Sequence, residues 1–138
     1  MSALFDTNVV LDVLLARQPF AAHSNACFLQ VEDGHLRGFL GATTVTTLDY
    51  LLSDALSASA SANRLHMGRL LKLFDVASVN RAVLTAALES KQKDYEDAVL
   101  AEAARAAGVQ AIITRNAKDF VGCGLNVYTP REWLALNT

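Results

Sequence analysis

Four aspartates occupy positions from which their carboxylates could act together on a divalent cation. Asp6 and Asp119 each come shortly after an apolar run of strand type. Asp97 lies in the first turn of a predicted helix, and Asp49 lies about one turn into another. Carboxylate oxygens are the ligands that hard cations such as Mg²⁺ prefer. We therefore expect a cation site, provided that the fold brings these four segments together.

Asp97 is the most informative of the four acids. It precedes Leu100, Ala104 and Ala107 at helical spacing, so it shares their apolar stripe and is expected to point inward with them. Burying an acid is costly unless it is paired or coordinated to a metal. This position therefore favours a functional role over a solvated one.

Each acid also has a purely structural interpretation. Asp6 could cap the helix that follows it, and Asp94 is a good N-cap for the helix after it. Asn116 and Asp119 could be turn residues, because both types favour turns, and Asp49 could be a solvated helix residue. The residue types alone leave both interpretations open.

The acids are distributed over a regular alternation of predicted strands and helices. Short apolar runs predict strands at 3–5, 36–40, 75–77, 111–113 and 126–128. Longer stretches predict helices at 8–16, 20–33, 44–54, 61–74, 81–89, 94–107 and 130–136. This alternation predicts an α/β fold with a mostly parallel, four- to five-stranded sheet covered by helices on both faces. Ligand sites of such folds lie beyond the carboxyl ends of the strands, where Asp6 and Asp119 are expected.

Composition limits the possible classes of protein. A chain of 138 residues with 52% apolar residues is expected to form one domain, 1–138, around a single core. No apolar segment approaches the roughly 20 residues of a membrane span, and the N-terminus does not resemble a signal peptide. Cys27 and Cys123 match no metal or redox spacing, which favours a reduced, cytoplasmic setting. The net charge of −2 argues against binding nucleic acid through a wide basic surface.

Three segments in order resemble the motifs of the PIN-domain family, particularly its VapC-like toxin branch. They are LFDTNVVLD at 4–12, DYEDAVLA at 94–101 and ITRNAKDF at 113–120. The family usually has a glutamate early in the helix after the second strand, and the matching residue here is Asp49, which is one methylene shorter. The first motif alone is weakly specific, but all three in order are strongly specific and extend over nearly the whole chain.

The resemblance implies a three-layer α/β/α fold and hydrolysis of RNA with Mg²⁺ or Mn²⁺. Asp6, Asp97 and Asp119 would hold the metal, with Asp49 as a further catalytic acid. The supporting polar residues would be Asn8, Asp94, Thr114 and Asn116. For toxin members, the resemblance also implies a homodimer and an antitoxin protein as partner.

Two other functions are compatible with parts of the pattern. A catalytically inactive PIN scaffold could act as an RNA- or protein-binding module, and the shortened acid at Asp49 favours this alternative. A receiver-type phosphotransfer protein would need an acceptor aspartate after a middle strand and a lysine after a later one. Lys118 is the single candidate for that lysine, and the remaining motif is absent.

Overall fold

A five-stranded, entirely parallel sheet forms the centre of the protein in the computed structural model, which describes residues 1–56 and 59–137. The strand order is β3-β2-β1-β4-β5, with β1 in the middle. The strands are β1 (Ser2–Phe5), β2 (Arg37–Gly41), β3 (Asp75–Ala77), β4 (Ala111–Ile113) and β5 (Asn126–Tyr128). The predicted α/β class is confirmed, and residues 57, 58 and 138 of the predicted single domain lie outside the described residues.

α-Helices lie in the connections from β1 to β4 and after β5, because parallel strands need crossover connections. They are α1 (Thr7–Leu14), α2 (Ala21–Glu32), α3 (Ala42–Leu56), α4 (Ala60–Leu73), α5 (Arg81–Leu88), α6 (Tyr95–Ala106) and α7 (Pro130–Leu136). A 3₁₀-helix at Ala117–Phe120 follows β4, in a segment that the sequence predicted as a simple turn. No helix in the described part of the chain is both long and apolar enough to cross a membrane.

Successive residues of β1 point in turn into two separate apolar cores. Phe5 belongs to a core shared with α1, α2, α3, α4 and α7, whereas Leu4 belongs to a core shared with α5 and α6. Because successive side chains of a strand point to opposite faces, burial on both sides means that helices cover both faces of the sheet. The result is the three-layer α/β/α arrangement that the resemblance implied.

Close packing in the first core depends on a glycine. The rings of Phe5, Phe28 and Phe74 meet edge to face, with centroid separations between 5.1 and 5.6 Å. A Cβ atom at Gly38 of β2 would lie 2.6 Å from the Phe74 ring. The ring could not occupy this place if position 38 carried a side chain. We therefore expect Gly38→Ala to disrupt the cluster that anchors α2 and α4 to the sheet.

Candidate functional site

Asp6 is fixed at the carboxyl end of the central strand. Its backbone N–H donates to the Ile113 carbonyl at 2.9 Å, which continues the pairing of β1 with β4. One carboxylate oxygen, Oδ1, accepts from the Thr7 backbone N–H at 2.8 Å and so caps α1. The other, Oδ2, accepts from the Thr114 hydroxyl at 2.8 Å. The structural interpretation of Asp6 as a cap is therefore correct, and the same geometry orients its carboxylate beside β4.

Burial and nearby negative charges raise the pKa of Asp6, whereas these hydrogen bonds lower it. Burial raises the pKa of Asp6 above its usual value, and the hydrogen bonds from Thr114 and Thr7 partly oppose that shift. The negative charges of Glu96 and Asp119 raise the pKa of Asp6 further. A buried carboxylate with acidic neighbours is unfavourable in its charged form. A cation at this position would remove that penalty.

The approach of α6 to the sheet determines where Asp97 lies. The helix is rich in alanine, and Ala98, Ala101 and Ala104 are all buried against the second core. Leu100 packs so closely on β2 that a Cβ atom at Gly41 would lie 2.4 Å from its side chain. Small residues at these contacts bring the first turn of α6 to the carboxyl edge of the sheet, with Asp97 in that turn.

Asp97 is half-buried in this turn and is surrounded by other acids. The Asp94 side chain caps α6 by accepting from the Asp97 backbone N–H at 3.1 Å. Burial raises the pKa of Asp97 to about 7, and four carboxylates add to the shift: Asp6, Asp94, Asp119 and Glu96. In this state, Asp97 holds a proton for much of the time at neutral pH. A group so perturbed in a cleft is a candidate functional residue.

Asp119 lines the same cleft as Asp97. Its 3₁₀-helix is anchored by Phe120, which is buried, whereas Asp119 itself is exposed. The cleft has a volume of about 550 Å³, and Asp94, Asp97 and Asp119 line it. Three lysines also line the cleft: Lys91, Lys93 and Lys118. The cleft therefore combines carboxylates suited to a cation with ammonium groups suited to a phosphate backbone.

The carboxylates are close enough to repel one another, but they are not arranged as a complete metal-binding site. Within residues 1–56 and 59–137, no three His, Cys, Asp or Glu side chains are arranged as a metal site. In the same part of the chain, the acids of the cluster form no ion pair with lysine or arginine. The donor set is chemically right for Mg²⁺ or Mn²⁺. Ligation by three acids would require side-chain rotation toward the cation.

The predicted supporting residues have different environments. Thr114 is buried, and its hydroxyl oxygen accepts from the Asn116 backbone N–H at 3.1 Å while the hydroxyl donates to Asp6. The Asn116 side chain is exposed. Asn8 is half-buried, and its carbonyl accepts from the Arg17 guanidinium at 3.4 Å. Among these residues, Thr114 therefore has the most direct contact with an acid of the cluster.

The structure does not bring Asp49 into the cluster. It lies in the middle of α3 with an exposed side chain, and its carbonyl oxygen accepts from the Ser53 hydroxyl at 2.9 Å. Asp49 is not among the charges that shift the pKa of Asp6 or Asp97. Its catalytic role therefore stays a prediction from the resemblance.

Two neighbours of the acid cluster were not identified from the sequence. Glu96 acts electrostatically on both Asp6 and Asp97, although it lies off the apolar stripe of α6. Thr44 is buried, and its hydroxyl lies 3.0 Å from the Thr7 hydroxyl, next to Asp6. The signals were present, since Glu96 lies inside the central motif and Thr44 lies in a threonine-rich segment at the start of α3.

Asp12, the second acid of the opening motif, has a structural role. It is fully buried, and Arg17 and Arg115 lie 2.8 and 3.1 Å from its two oxygens through their Nε atoms. Arg115 directly follows Thr114 beyond β4, so the pair joins α1 to the segment that carries Thr114.

Solved structures with the same fold extend over nearly the whole chain. A toxin–antitoxin complex from Klebsiella pneumoniae matches at 21% identity and a TM-score of 0.68, covering 93% of this chain and 97% of that one. VapBC-1 from nontypeable Haemophilus influenzae matches at 14% identity and a TM-score of 0.69, covering 95% and 99%. FitAcB from Neisseria gonorrhoeae matches at 22% identity and a TM-score of 0.67, covering 94% and 98%. At these identities, the similarity establishes the fold. A comparison with curated protein sequences gave no significant match.

The sequence itself matches a known domain family. The family described as PIN domain matches residues 2–118, which include β1 to β4 and the acids discussed above except Asp119, one residue beyond the match. This agrees with the resemblance of the three motifs and with the fold of the solved structures. The chain belongs to the PIN-domain family.

Proposed function

We propose that the protein is a metal-dependent endoribonuclease that hydrolyses RNA phosphodiester bonds. The observation that supports this proposal is that burial and the mutual repulsion of Asp6, Asp97 and Asp119 raise the pKa of Asp97 to about 7. Asp97 and Asp119 also line a cleft together with three lysines. Like charges held together without a cationic partner favour binding of a divalent ion. Membership of the PIN-domain family supports the nuclease assignment.

Asp6, Asp97 and Asp119 are the proposed metal ligands, with Mg²⁺ or Mn²⁺ as the cofactor. When bound, either ion supplies a Lewis acid that activates water and offsets the negative charge of the phosphodiester. Thr114 and the Thr7 backbone N–H hold both oxygens of Asp6, so this ligand is oriented before the ion arrives. Asp49 is the predicted fourth catalytic acid. Glu96 is the alternative, because its negative charge raises the pKa of Asp97 and that of Asp49 does not.

The remaining polar groups have proposed roles in binding the substrate. Lys91, Lys93 and Lys118 line the cleft and would contact the RNA backbone on either side of the acids. The exposed side chain of Asn116 would orient water or phosphate next to Thr114, and Asn8 would support the start of α1. Asp94 would keep the first turn of α6 intact by capping it.

The biological setting that fits best is a toxin–antitoxin pair in the cytoplasm. The solved structures of similar fold include a toxin–antitoxin complex, which supports an antitoxin protein as partner. Apolar side chains exposed on the helices support coverage by another chain, and a homodimer is the first expectation. Among them are Leu29, Tyr50, Leu65, Leu71 and Leu88.

A second candidate function is that of a catalytically inactive scaffold that binds RNA or protein. The exposed position of Asp49 and the lack of a preformed three-acid cage in the described residues favour it. The two candidates differ in their response to metal, because a scaffold does not need an ion to bind its partner.

The direct test is cleavage of a mixed RNA pool by the purified protein. We expect no cleavage in EDTA, and cleavage after Mg²⁺ or Mn²⁺ is added back. The Asp97→Asn protein, purified in parallel, controls for contaminating nucleases. RNA binding without cleavage under every metal condition would identify the scaffold instead.

A further inference from the structure

A second cavity differs from the acid cleft in its chemistry. It has a volume of about 370 Å³ and is formed where the start of α2, the start of α7 and the residue after Thr114 meet. The cavity is lined by residues that include Phe20, His23, Ser24, Arg115, Pro130 and Arg131. The cavity is therefore cationic and partly apolar, and it is within the size range of small-ligand pockets.

Ser24 gives the cavity an unsatisfied hydrogen-bonding group. A serine inside a helix commonly donates to the carbonyl four residues earlier, which here belongs to Phe20. The Ser24 hydroxyl is completely buried and has no hydrogen-bond partner within residues 1–56 and 59–137. Because buried polar groups are almost always paired, a ligand atom that enters the cavity is the expected partner.

Phe20 and Arg115 form a stacked platform on another wall of the cavity. The Arg115 guanidinium carbon lies 4.1 Å from the centre of the Phe20 ring. Its Nε lies 3.1 Å from the buried carboxylate of Asp12, an ion pair that holds Arg115 against α1. Phe20 is 39% exposed, so part of its ring is open to a ligand. A rigid planar platform of this kind is suited to stacking with a flat aromatic group.

The chain connects this platform directly to the acid cluster. Thr114 donates to Asp6, and the next residue, Arg115, lines the cavity. Their Cα atoms are only about 3.8 Å apart, as for any two adjacent residues. The cavity and the acid cluster therefore share one backbone segment, that of Thr114 and Arg115.

We propose that this cavity binds one unpaired nucleobase of the RNA, next to the bond that is cut. Proteins that read RNA sequence stack splayed bases on aromatic rings or guanidinium planes and hydrogen-bond their edges. Phe20 and Arg115 supply the stacking surface, and Ser24 supplies the hydrogen bond to the base edge. His23 and Arg131 face the adjoining phosphate. The identity of the ligand as RNA rests on the proposed nuclease function.

The cavity can be tested separately from catalysis, with nucleotides in EDTA. The full chain labelled with ¹⁵N is titrated with AMP, GMP, CMP and UMP, and separately with inorganic phosphate. We expect the amides of Phe20, His23, Ser24 and Arg115 to shift with nucleotides, with one base preferred. Phe20→Ala should weaken this binding by at least about fivefold, the lower end of what base stacking contributes. Ser24→Ala should reduce the preference for that base by about threefold.

The controls separate loss of binding from loss of folding. Ser24→Ala removes an unpaired buried hydroxyl, so this protein should melt at or above the temperature of the parent. Leu29→Ala alters an exposed apolar residue of the same helix outside the cavity, and should bind nucleotides as the parent does.

Two results would overturn the nucleobase assignment. Equal shifts with inorganic phosphate alone would make the cavity a simple anion site. No shift with any nucleotide would leave it as a contact for a protein segment. Neither result depends on cleavage. If the parent cleaves RNA but binds no nucleotide in this cavity, only the nucleobase assignment is refuted. A parent that binds nucleotides as described but cuts no RNA refutes the nuclease function instead.

Discussion

The Thr114 hydroxyl donates a 2.8 Å hydrogen bond to Asp6 Oδ2, although the two residues are 108 positions apart in sequence. Thr114 also accepts from the Asn116 backbone N–H, so its hydroxyl has a defined direction. The bond joins the end of β1 to the end of β4 at the point where the acids converge. It makes Thr114 a residue that positions a proposed metal ligand.

Loss of this hydroxyl should weaken metal binding. Thr114→Val keeps the shape of the side chain but leaves one Asp6 oxygen without its partner. We expect Mn²⁺ affinity to fall by about tenfold or more, as is usual when a group that orients a ligand is removed. Titration calorimetry with MnCl₂ measures the change. Thr114→Ser retains the hydroxyl and should bind Mn²⁺ nearly as the parent does, and equal affinity of all three proteins would refute the positioning role.

Metal-free stability should depend on pH through Asp97. Its pKa is about 7 in the folded protein, against 3.8 for an unperturbed aspartate. Between these values, the folded state binds more protons than the unfolded state, so the free energy of unfolding falls as pH rises from about 4 to about 7. Asp97→Asn lacks this contribution. Urea unfolding in EDTA should show the variant gaining stability relative to the parent across this range, whereas a constant difference would contradict the raised pKa.

Metal binding should release protons from the acid cluster. An ion that coordinates Asp97 must displace its proton, so binding near pH 6 should release close to one proton and binding near pH 8 close to none. Calorimetry in two buffers of different ionisation enthalpy measures the number released. A release that does not change with pH would mean that the ion binds away from Asp97.

The fourth acid can be assigned by comparing two conservative variants. Glu96→Gln removes a charge that acts on both Asp6 and Asp97, whereas Asp49→Asn removes an exposed charge from the middle of α3. We expect the glutamine variant to lose more Mn²⁺ affinity and more RNA cleavage than the asparagine variant. The reverse order, measured on the same RNA, would restore Asp49 to the position that the family resemblance gives it.

The sequence predicted the strands and helices better than the contacts between distant segments. The apolar runs located β1 and β4, because buried parallel strands have few polar residues to obscure them. They also located β3 and β5, the partly exposed strands at the two edges of the sheet. Asp6, Asp97 and Asp119 were predicted to meet because each lies after a strand or on an inward helix face. Their charges act on the pKa values of Asp6 and Asp97, and a shared metal site stays a prediction.

Contacts between distant segments could not be predicted in the same way. Asp49 was aligned by motif, but its carboxylate is exposed about two turns into α3, because the buried face of that helix carries Thr44, Leu48 and Leu52. Glu96 lies off the apolar stripe, so periodicity gave no reason to select it. The contact between Arg115 and Asp12 depends on how α1 crosses the sheet, which no local pattern encodes.

The central claim is that Asp97 is a metal ligand required for RNA cleavage. The most direct measurement combines thermal melting of the parent and Asp97→Asn, in EDTA and with Mg²⁺ or Mn²⁺, with RNA cleavage by both proteins. The substitution keeps the size of the side chain and removes one charge from a crowded acid cluster. An ion that binds only the folded state should raise the melting temperature of the parent.

We expect Asp97→Asn to melt at or above the parent in EDTA, to gain less from either ion, and to cleave RNA at least about a hundredfold more slowly. A variant that melts far below the parent in EDTA would identify Asp97 as a structural residue of α6. A variant that cleaves RNA at the rate of the parent would contradict the catalytic assignment outright.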